Sequence, residues 1–157
     1  MKTSTLRHLV LFTLLAVVAI VGLAAAQSAT VPMPGDVVAA RQRLMRLNAA
    51  SAADAQAKLK AGNIEAIAVN AEVIAINAGH IPFLFPKGSD TQASYAKPEV
   101  WEKWQEFEAD AKNMETWAEK LRDTAKSKDA AATEAIMKEF GAKTCGTCHT
   151  PFRRPKN

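Results

Sequence analysis

The stretch Cys145-Gly146-Thr147-Cys148-His149 is the most informative part of the chain, because its Cys-x-x-Cys-His spacing is the attachment signature of a c-type haem. Two thiols three residues apart lie on one side of a helical turn, so each can add across one vinyl group of the haem. The residue after the second thiol is then placed under the ring. We therefore predict one haem c, attached covalently through Cys145 and Cys148, with His149 as the proximal iron ligand.

Two other kinds of site also use a Cys-x-x-Cys pair. A redox-active dithiol is expected near a β-α-β pattern, and the sequence around Cys145 has none. A zinc site needs two more ligands at short spacing, whereas His8 and His80, the other histidines, are isolated. His80 as a lone metal ligand is a weaker interpretation than a histidine at a helix end. The haem interpretation leaves no cysteine for a structural disulfide.

Residues 1–26 are typical of a secretory signal peptide. Lys2 and Arg7 precede an apolar run from Leu9 to Leu23, and Ala24-Ala25-Ala26 supplies small residues for cleavage. We predict cleavage before Gln27, a bacterial periplasmic location and no membrane anchor in the mature protein, residues 27–157. The alternative is an uncleaved anchor, but the apolar run is shorter than the roughly 20 residues of a bilayer span.

The length and charge limit the possible functions. A chain of 157 residues suits one domain, and abundant alanine favours helices. Removing the first 26 residues lowers the formal charge from +4 to +2, and two haem propionates bring it near neutral, so we predict no nucleic-acid surface. Basic residues nevertheless surround the haem motif: Lys143, Arg153, Arg154 and Lys156. They suit either a helix C-terminus or a basic rim for an acidic redox partner.

Apolar periodicity predicts four helices, over residues 36–61, 63–78, 98–125 and 129–152. Asp36 and Asp129 are predicted N-caps, Gly79 a stop, and Pro151 a kink in the last turn. The inward face of the first helix contains Val37, Val38, Arg41, Leu44, Met45, Asn48, Ala52, Ala55 and Leu59. Residues 79–97 form a long connection whose aromatic residues are expected to pack over the end of the bundle. The predicted fold class is all-α, an antiparallel up-down-up-down four-helix bundle with one covalent haem c.

Four stretches carry a resemblance to a known family. They are Arg41-Gln42-Arg43-Leu44-Met45, Ile81-Pro82-Phe83-Leu84-Phe85-Pro86, Pro98-Glu99-Val100-Trp101 followed by Phe107, and the haem motif continued to Phe152-Arg153. Together they resemble the cytochrome c-prime family, the class II c-type cytochromes, over essentially the whole mature chain. The position of the haem motif near the C-terminus is similar to that family. Pro151 departs from the family pattern and leaves the shape of the final turn open.

The resemblance implies a periplasmic bundle, often dimeric, whose distal residue is Met45. We predict the low-spin, six-coordinate subclass, in which His149 and Met45 ligate the iron of an electron carrier that meets redox partner proteins. The alternative is a five-coordinate, high-spin protein that binds nitric oxide or carbon monoxide, with Met45 only packing on the haem.

A haem enzyme such as a peroxidase is the third hypothesis. The inward face of the first helix offers Arg41 and Asn48 but no histidine or carboxylate, so we predict no enzymatic activity. Arg41 is expected to pair with a haem propionate, because a guanidinium suits a carboxylate and an inward charge is otherwise costly. Its alternative is a long stem that reaches solvent.

Overall fold

The computed structural model describes residues 34–155, and the regular structure in this range is helical. The six α-helices are α1 Pro34–Lys60, α2 Ile67–His80, α3 Glu99–Glu102, α4 Trp104–Lys126, α5 Ala130–Phe140 and α6 Thr147–Phe152. A 3₁₀ turn spans Pro82–Leu84, and a π-helical segment, Gly141–Gly146, joins α5 to α6. Among the described helices, none combines the length and hydropathy that a membrane crossing requires. The predicted signal peptide lies outside the described residues.

The helices form the predicted antiparallel four-helix bundle, in which α5, the π-helical segment and α6 act as the fourth helix. Helix α2 packs between α1 and α4, and α4 packs against α5. The stripe predicted for the third helix is confirmed on α4, where Phe107, Leu121 and Ala125 are almost fully buried. The core is therefore centred on the contact of α2 with α4.

The ends of the first two helices differ from the prediction. Asp36 lies in the first turn of α1 instead of capping it, because the helix begins at Pro34, a residue well suited to a first helical position. Helix α2 begins at Ile67 and not at residue 63, because a tight turn intervenes in which the Ile67 N–H bonds to the Ile64 carbonyl (3.1 Å). The predicted stop at Gly79 is wrong, since α2 continues to His80.

The third and fourth predicted helices are each divided into shorter segments in the structure. Lys103, with φ −116° and ψ 47°, separates α3 from α4. The fourth helix is interrupted at Gly141, where π-helical bonding begins, whereas Pro151 lies inside α6 just before its end. A glycine has low helix propensity, so the distortion occurs there. Asp129 is confirmed as an N-cap, because its Oδ1 accepts the Ala132 N–H at 2.9 Å.

The connection between α2 and α3, residues 81–98, packs over the bundle end as expected, although Phe83 is 79% exposed. Trp101 Nε1 donates to the carbonyl of Phe85 at 2.9 Å. The connection also pairs with the tail after α6, through Lys97 N–H to the Phe152 carbonyl (2.9 Å) and Arg154 N–H to the Tyr95 carbonyl (2.8 Å). These bonds fix the connection against α3 and against the tail that follows the haem motif.

Candidate haem site

A cavity of about 520 Å³ lies between α1 and α6 at the end of the bundle that the connection covers. Its apolar lining comes from Phe85, Val100, Phe107 and Phe152. Helix α1 contributes Arg41, Gln42, Met45, Arg46 and Ala49, the connection contributes Tyr95 and Ala96, and the end of the chain contributes Cys148, His149 and Arg153. Sequence periodicity placed Met45 on the inward face of the first helix, and the haem motif indicated His149 as the proximal ligand. The structure brings both residues to this one cavity.

The haem motif is held by hydrogen bonds from its own turn and from α4. The Thr144 hydroxyl, fully buried, donates to the Phe140 carbonyl at 2.6 Å, and the Thr147 hydroxyl donates to the Thr144 carbonyl at 2.9 Å. Asn113 of α4 donates from Nδ2 to the Lys143 carbonyl at 2.6 Å. Cys145 lies in this π-helical segment, while Cys148 lies in the first turn of α6, which also carries His149. π-Helical turns are frequent at functional sites, where they re-aim side chains.

The electrostatics of the motif argue against a redox dithiol and are compatible with a histidine metal ligand. Burial, with smaller effects from Asp110 and Cys145, raises the pKa of Cys148 to about 12. A reactive dithiol requires the opposite shift, since its thiolate is the nucleophile. Burial and then the charge of Arg153 lower the pKa of His149, so the imidazole is neutral at pH 7, as a metal ligand must be. Cys145 and Cys148 are not joined in a disulfide.

Among the methionines of residues 34–155, Met45 is the best placed to reach the cavity. It is half-buried on α1 and lines the cavity directly. Met114 and Met137 are buried in the core and are absent from the cavity lining. Within the described chain His80 is exposed and bonds through Nδ1 to the Ile76 carbonyl (2.7 Å), away from the cavity. The lining thus offers one imidazole and one thioether.

Arg41 is 4% exposed, and its guanidinium holds the connection. Nη1 donates to the Leu84 carbonyl (3.2 Å) and Ser89 Oγ (3.0 Å), while Nη2 donates to the Ser89 carbonyl and Ser94 Oγ, both at 2.5 Å. The guanidinium carbon also lies 4.4 Å from the centre of the Phe85 ring. Burial lowers the pKa of Arg41, and nearby Asp90 partly opposes this, but an arginine remains charged at pH 7.

Two roles were expected for Arg41: a contact with a haem propionate, or a long stem that reaches solvent. Its stem does not carry the charge to solvent, because the side chain is buried. Nη1 and Nη2 are occupied by the connection, which leaves Nε–H as the donor for the predicted propionate contact. That contact stays a prediction.

Sequence reasoning missed the part of the site that the connection forms. The acceptors Ser89 and Ser94 are 0% and 2% exposed, and Phe85 and Ala96 complete the cavity wall. The available signal was the inward position of Arg41, because a buried cation needs several acceptors and residues 81–98 contain the two serines. The fold of residues 81–98 could not be predicted, because this segment has no hydrophobic periodicity.

The residues present suit a covalently bound haem c. An apolar cavity, a neutral imidazole and a free thiol on one wall, and a second thiol one turn earlier, are the donor set that such a haem needs. Cys148 and His149 are on the cavity wall, whereas Cys145 is half-buried and lies three residues before Cys148. A haem can therefore be held between α1 and α6.

Comparisons with known proteins agree with this site. A sequence model described as Cytochrome C' matches residues 36–153. Cytochrome c-556 of Agrobacterium fabrum is 39% identical over 94 residues, which are 59% of this chain and 62% of that protein. Cytochrome c' of Pararhodospirillum photometricum is 38% identical over 92 residues, covering 58% of this chain and 72% of the relative.

A solved structure, cytochrome c' from Thermochromatium tepidum, superposes with a TM-score of 0.73 at 24% identity over 80% of this chain and 100% of that one. This likeness supports the fold. The family match covers most of the chain and includes Cys145, Cys148 and His149. The chain therefore belongs to the cytochrome c' family and is a monohaem protein carrying haem c.

Proposed function

We propose that this protein is an electron carrier whose haem iron is held by His149 and Met45. The observation that carries the proposal is that these two residues, from α6 and α1, line the same cavity. Haem c, when bound, supplies an iron centre that gains and loses one electron. Cys145 and Cys148 are proposed as its thioether attachment sites.

The chain's own residues suit this role. His149 is neutral and half-buried, so its lone pair is available for a metal. Met45 offers a soft thioether, and His/Met ligation raises the reduction potential of a haem. Phe85, Phe107 and Phe152 limit water access on the apolar side of the cavity. A dry site with two fixed ligands favours reversible electron transfer with little rearrangement.

Gas binding is the second candidate. A cytochrome c prime variant from Alcaligenes xylosoxidans, whose structure was solved as a nitric oxide complex, superposes with a TM-score of 0.71 at 24% identity. Met45 is half-buried and could pack against the haem without ligating it. An enzymatic role has less support, because no carboxylate side chain of residues 34–155 lines the cavity.

Visible absorption spectra of the oxidised and reduced holoprotein test the ranking. With Met45 bound, the reduced protein has sharp α and β bands, and the oxidised protein has a weak sulfur-to-iron band in the far red. Met45→Leu keeps the side-chain volume but removes the thioether, so it should become high-spin and bind carbon monoxide readily. Met114→Leu is the matched control, since Met114 lies in the core. A high-spin wild type makes gas binding the leading function.

The proposed partners are acidic redox proteins that meet a basic rim at the cavity, formed by Arg46, Lys97, Arg153 and Arg154. Arg46 and Arg153 line the cavity, and Lys97 and Arg154 bond to backbone around it. The ion pairs identified within residues 34–155 involve other cations. A molecule near neutral overall can therefore present a positive face to its partner.

The reaction with ferricyanide, a small anionic oxidant, tests this rim. The rate should fall as ionic strength rises, and Arg46→Gln should flatten the dependence. Lys126→Gln changes the net charge equally, but it lies at the other end of α4, ~33 Å along a 23-residue helix, and should leave the dependence unchanged. Equal effects of the two variants would mean that net charge alone governs the rate.

We also propose export and self-association. The signal-like residues 1–26 predict that mass analysis of the purified holoprotein finds Gln27 first.

Val69, Val73 and Ile76 form an exposed apolar stripe on α2, which suits the same face of a second copy. A structural neighbour at 22% identity is described as a cytochrome c' with ligand-controlled dimer dissociation. Light scattering should give twice the monomer mass, and Ile76→Glu should halve it; a monomeric wild type would refute the dimer.

A further inference from the structure

Arg41 belongs to a chain of hydrogen bonds that connects the two walls of the cavity. Its Nη2 donates to Ser94 Oγ at 2.5 Å, and the same oxygen accepts the Ala96 N–H at 3.0 Å. The Ser94 carbonyl in turn accepts a bond from the guanidinium of Arg154, which follows α6. Ser94 is therefore held from α1 on one side and from the tail after His149 on the other.

We propose that this Arg41 network, consisting of Arg41, Ser89, Ser94 and Arg154, fixes the separation of α1 from α6 and so positions Met45 opposite His149. The inference rests on the proposed His/Met ligation for its functional consequence. Met45 lies one turn after Arg41 on α1, and Arg154 lies five residues after His149. A shift of the connection relative to either wall is thus transmitted to a ligand. Arg41 and Ser94 are positioning residues, since they act through Met45 and His149.

The geometry requires an arginine and not only a positive charge. The two terminal nitrogens of Arg41 reach four acceptors on Leu84, Ser89 and Ser94, an arrangement that uses the planar fork of a guanidinium. A lysine ammonium is a single point with three donors and cannot span Ser89 and Ser94 in this way. Arg41→Lys consequently separates the role of shape from the role of charge.

The experiment compares Ser94→Ala and Arg41→Lys with the wild-type holoprotein. Ser94→Ala removes the hydroxyl that accepts from Arg41 and from the Ala96 N–H, while the bonds of Arg41 to Leu84 and Ser89 remain. Both variants should weaken the far-red sulfur-to-iron band, lower the reduction potential and increase carbon monoxide binding. They should also raise amide hydrogen exchange at Lys97 and Arg154, whose N–H groups pair the connection with the tail, by about tenfold or more.

Asn70→Ala is the matched control. Asn70 is buried and bonds Lys58 and Asp54 in another polar cluster between α1 and α2, away from the cavity lining. It should lower global stability without changing the far-red band or the potential.

Two results would overturn the proposal. The first is unchanged exchange at Lys97 and Arg154 in Ser94→Ala and Arg41→Lys. The second is a wild-type-like band and potential in Arg41→Lys, which would show that Arg41 acts through its charge alone. A wild-type protein without the far-red band refutes His/Met ligation instead, and amide exchange then still decides whether the network holds the two walls together.

Discussion

Phe107 provides a quantitative test of how the cavity wall is stabilised. It is 2% exposed on α4, and its ring contacts Phe85 edge-on, with centroids 4.7 Å apart, and Phe152 edge-on, with centroids 5.5 Å apart. Phe85 belongs to the connection and Phe152 follows the haem motif, so Phe107 joins three parts of the site. Phe107→Leu keeps an apolar side chain there but removes the ring edges and faces.

The expected loss follows from these contacts. The smaller side chain and the gap it leaves cost about 1 kcal/mol, and each edge-on pair contributes about 0.5–1.5 kcal/mol, so the free energy of unfolding should fall by about 2–4 kcal/mol. Phe140→Leu is the control, because Phe140 is 6% exposed and has no ring contact with another described residue. It should cost only about 1 kcal/mol.

Urea unfolding of the holoprotein, followed by far-ultraviolet circular dichroism, measures the free energy of unfolding of both variants. The comparison is valid if the variants and the wild type share the same slope of this free energy against urea concentration. Equal losses for Phe107→Leu and Phe140→Leu would refute the reasoning, because burial alone would then explain the cost. A larger loss at Phe107 than at Phe140 is the result expected if ring contacts join the connection to the haem motif.

Three further predictions use the same unfolding measurement. Asp129→Ala should cost about 1 kcal/mol, because Ala132 N–H loses its acceptor, whereas Asp129→Asn should cost little; equal costs would reject the cap. Lys128→Gly should stabilise the protein by about 0.5 kcal/mol, since it relieves a φ of 61° at the expense of one exposed ion pair with Glu65, and destabilisation would contradict this. Hydrogen bonds from Lys58 and Asn70 lower the pKa of Asp54 in the folded protein. The ionised carboxylate therefore contributes to stability above about pH 4, and this contribution to stability is lost as the pH falls through the folded pKa. The acid-side loss of stability should therefore be shallower in Asp54→Asn than in wild type, and identical slopes would argue against the pairing.

The sequence predicted the elements whose pattern is periodic and local. The stripe of α4 and the cap at Asp129 were correct, because each depends on residues a few positions apart. Cys148 and His149 could be placed on one site from spacing alone, since the chemistry of attachment requires that spacing. Helix ends and breaks were less accurate. The break at Lys103 and the continuation through Gly79 are decided by backbone bonding that has no distinct residue signal.

The connection could not be predicted, because its order comes from contacts distant in sequence. Arg41 bonds Ser89 and Ser94, which are 48 and 53 residues away. Proline and glycine in residues 81–98 correctly excluded a helix, but they did not indicate which side chains would be buried. In the sequence, Ser89 cannot be distinguished from an ordinary loop residue. In the structure it is 0% exposed, because the buried Arg41 needs its oxygens as acceptors.

The bundle is asymmetric, and this asymmetry explains where the haem belongs. Helix α2 is in close contact with α4 along its length, with Ile67, Ala71 and Ala78 at 0% exposure, so that half of the core is complete without a cofactor. Helix α1 instead buries Arg41 and Asn48 and leaves Met45 half-buried at the cavity. An inward face that buries two polar side chains and is partly open is unfavourable for a helix that only packs against its neighbours. Such a face suits a helix that Arg41 fixes at one point and that completes its packing against a flat apolar ring. The composition of α1 is therefore itself evidence that the haem completes the core on that side.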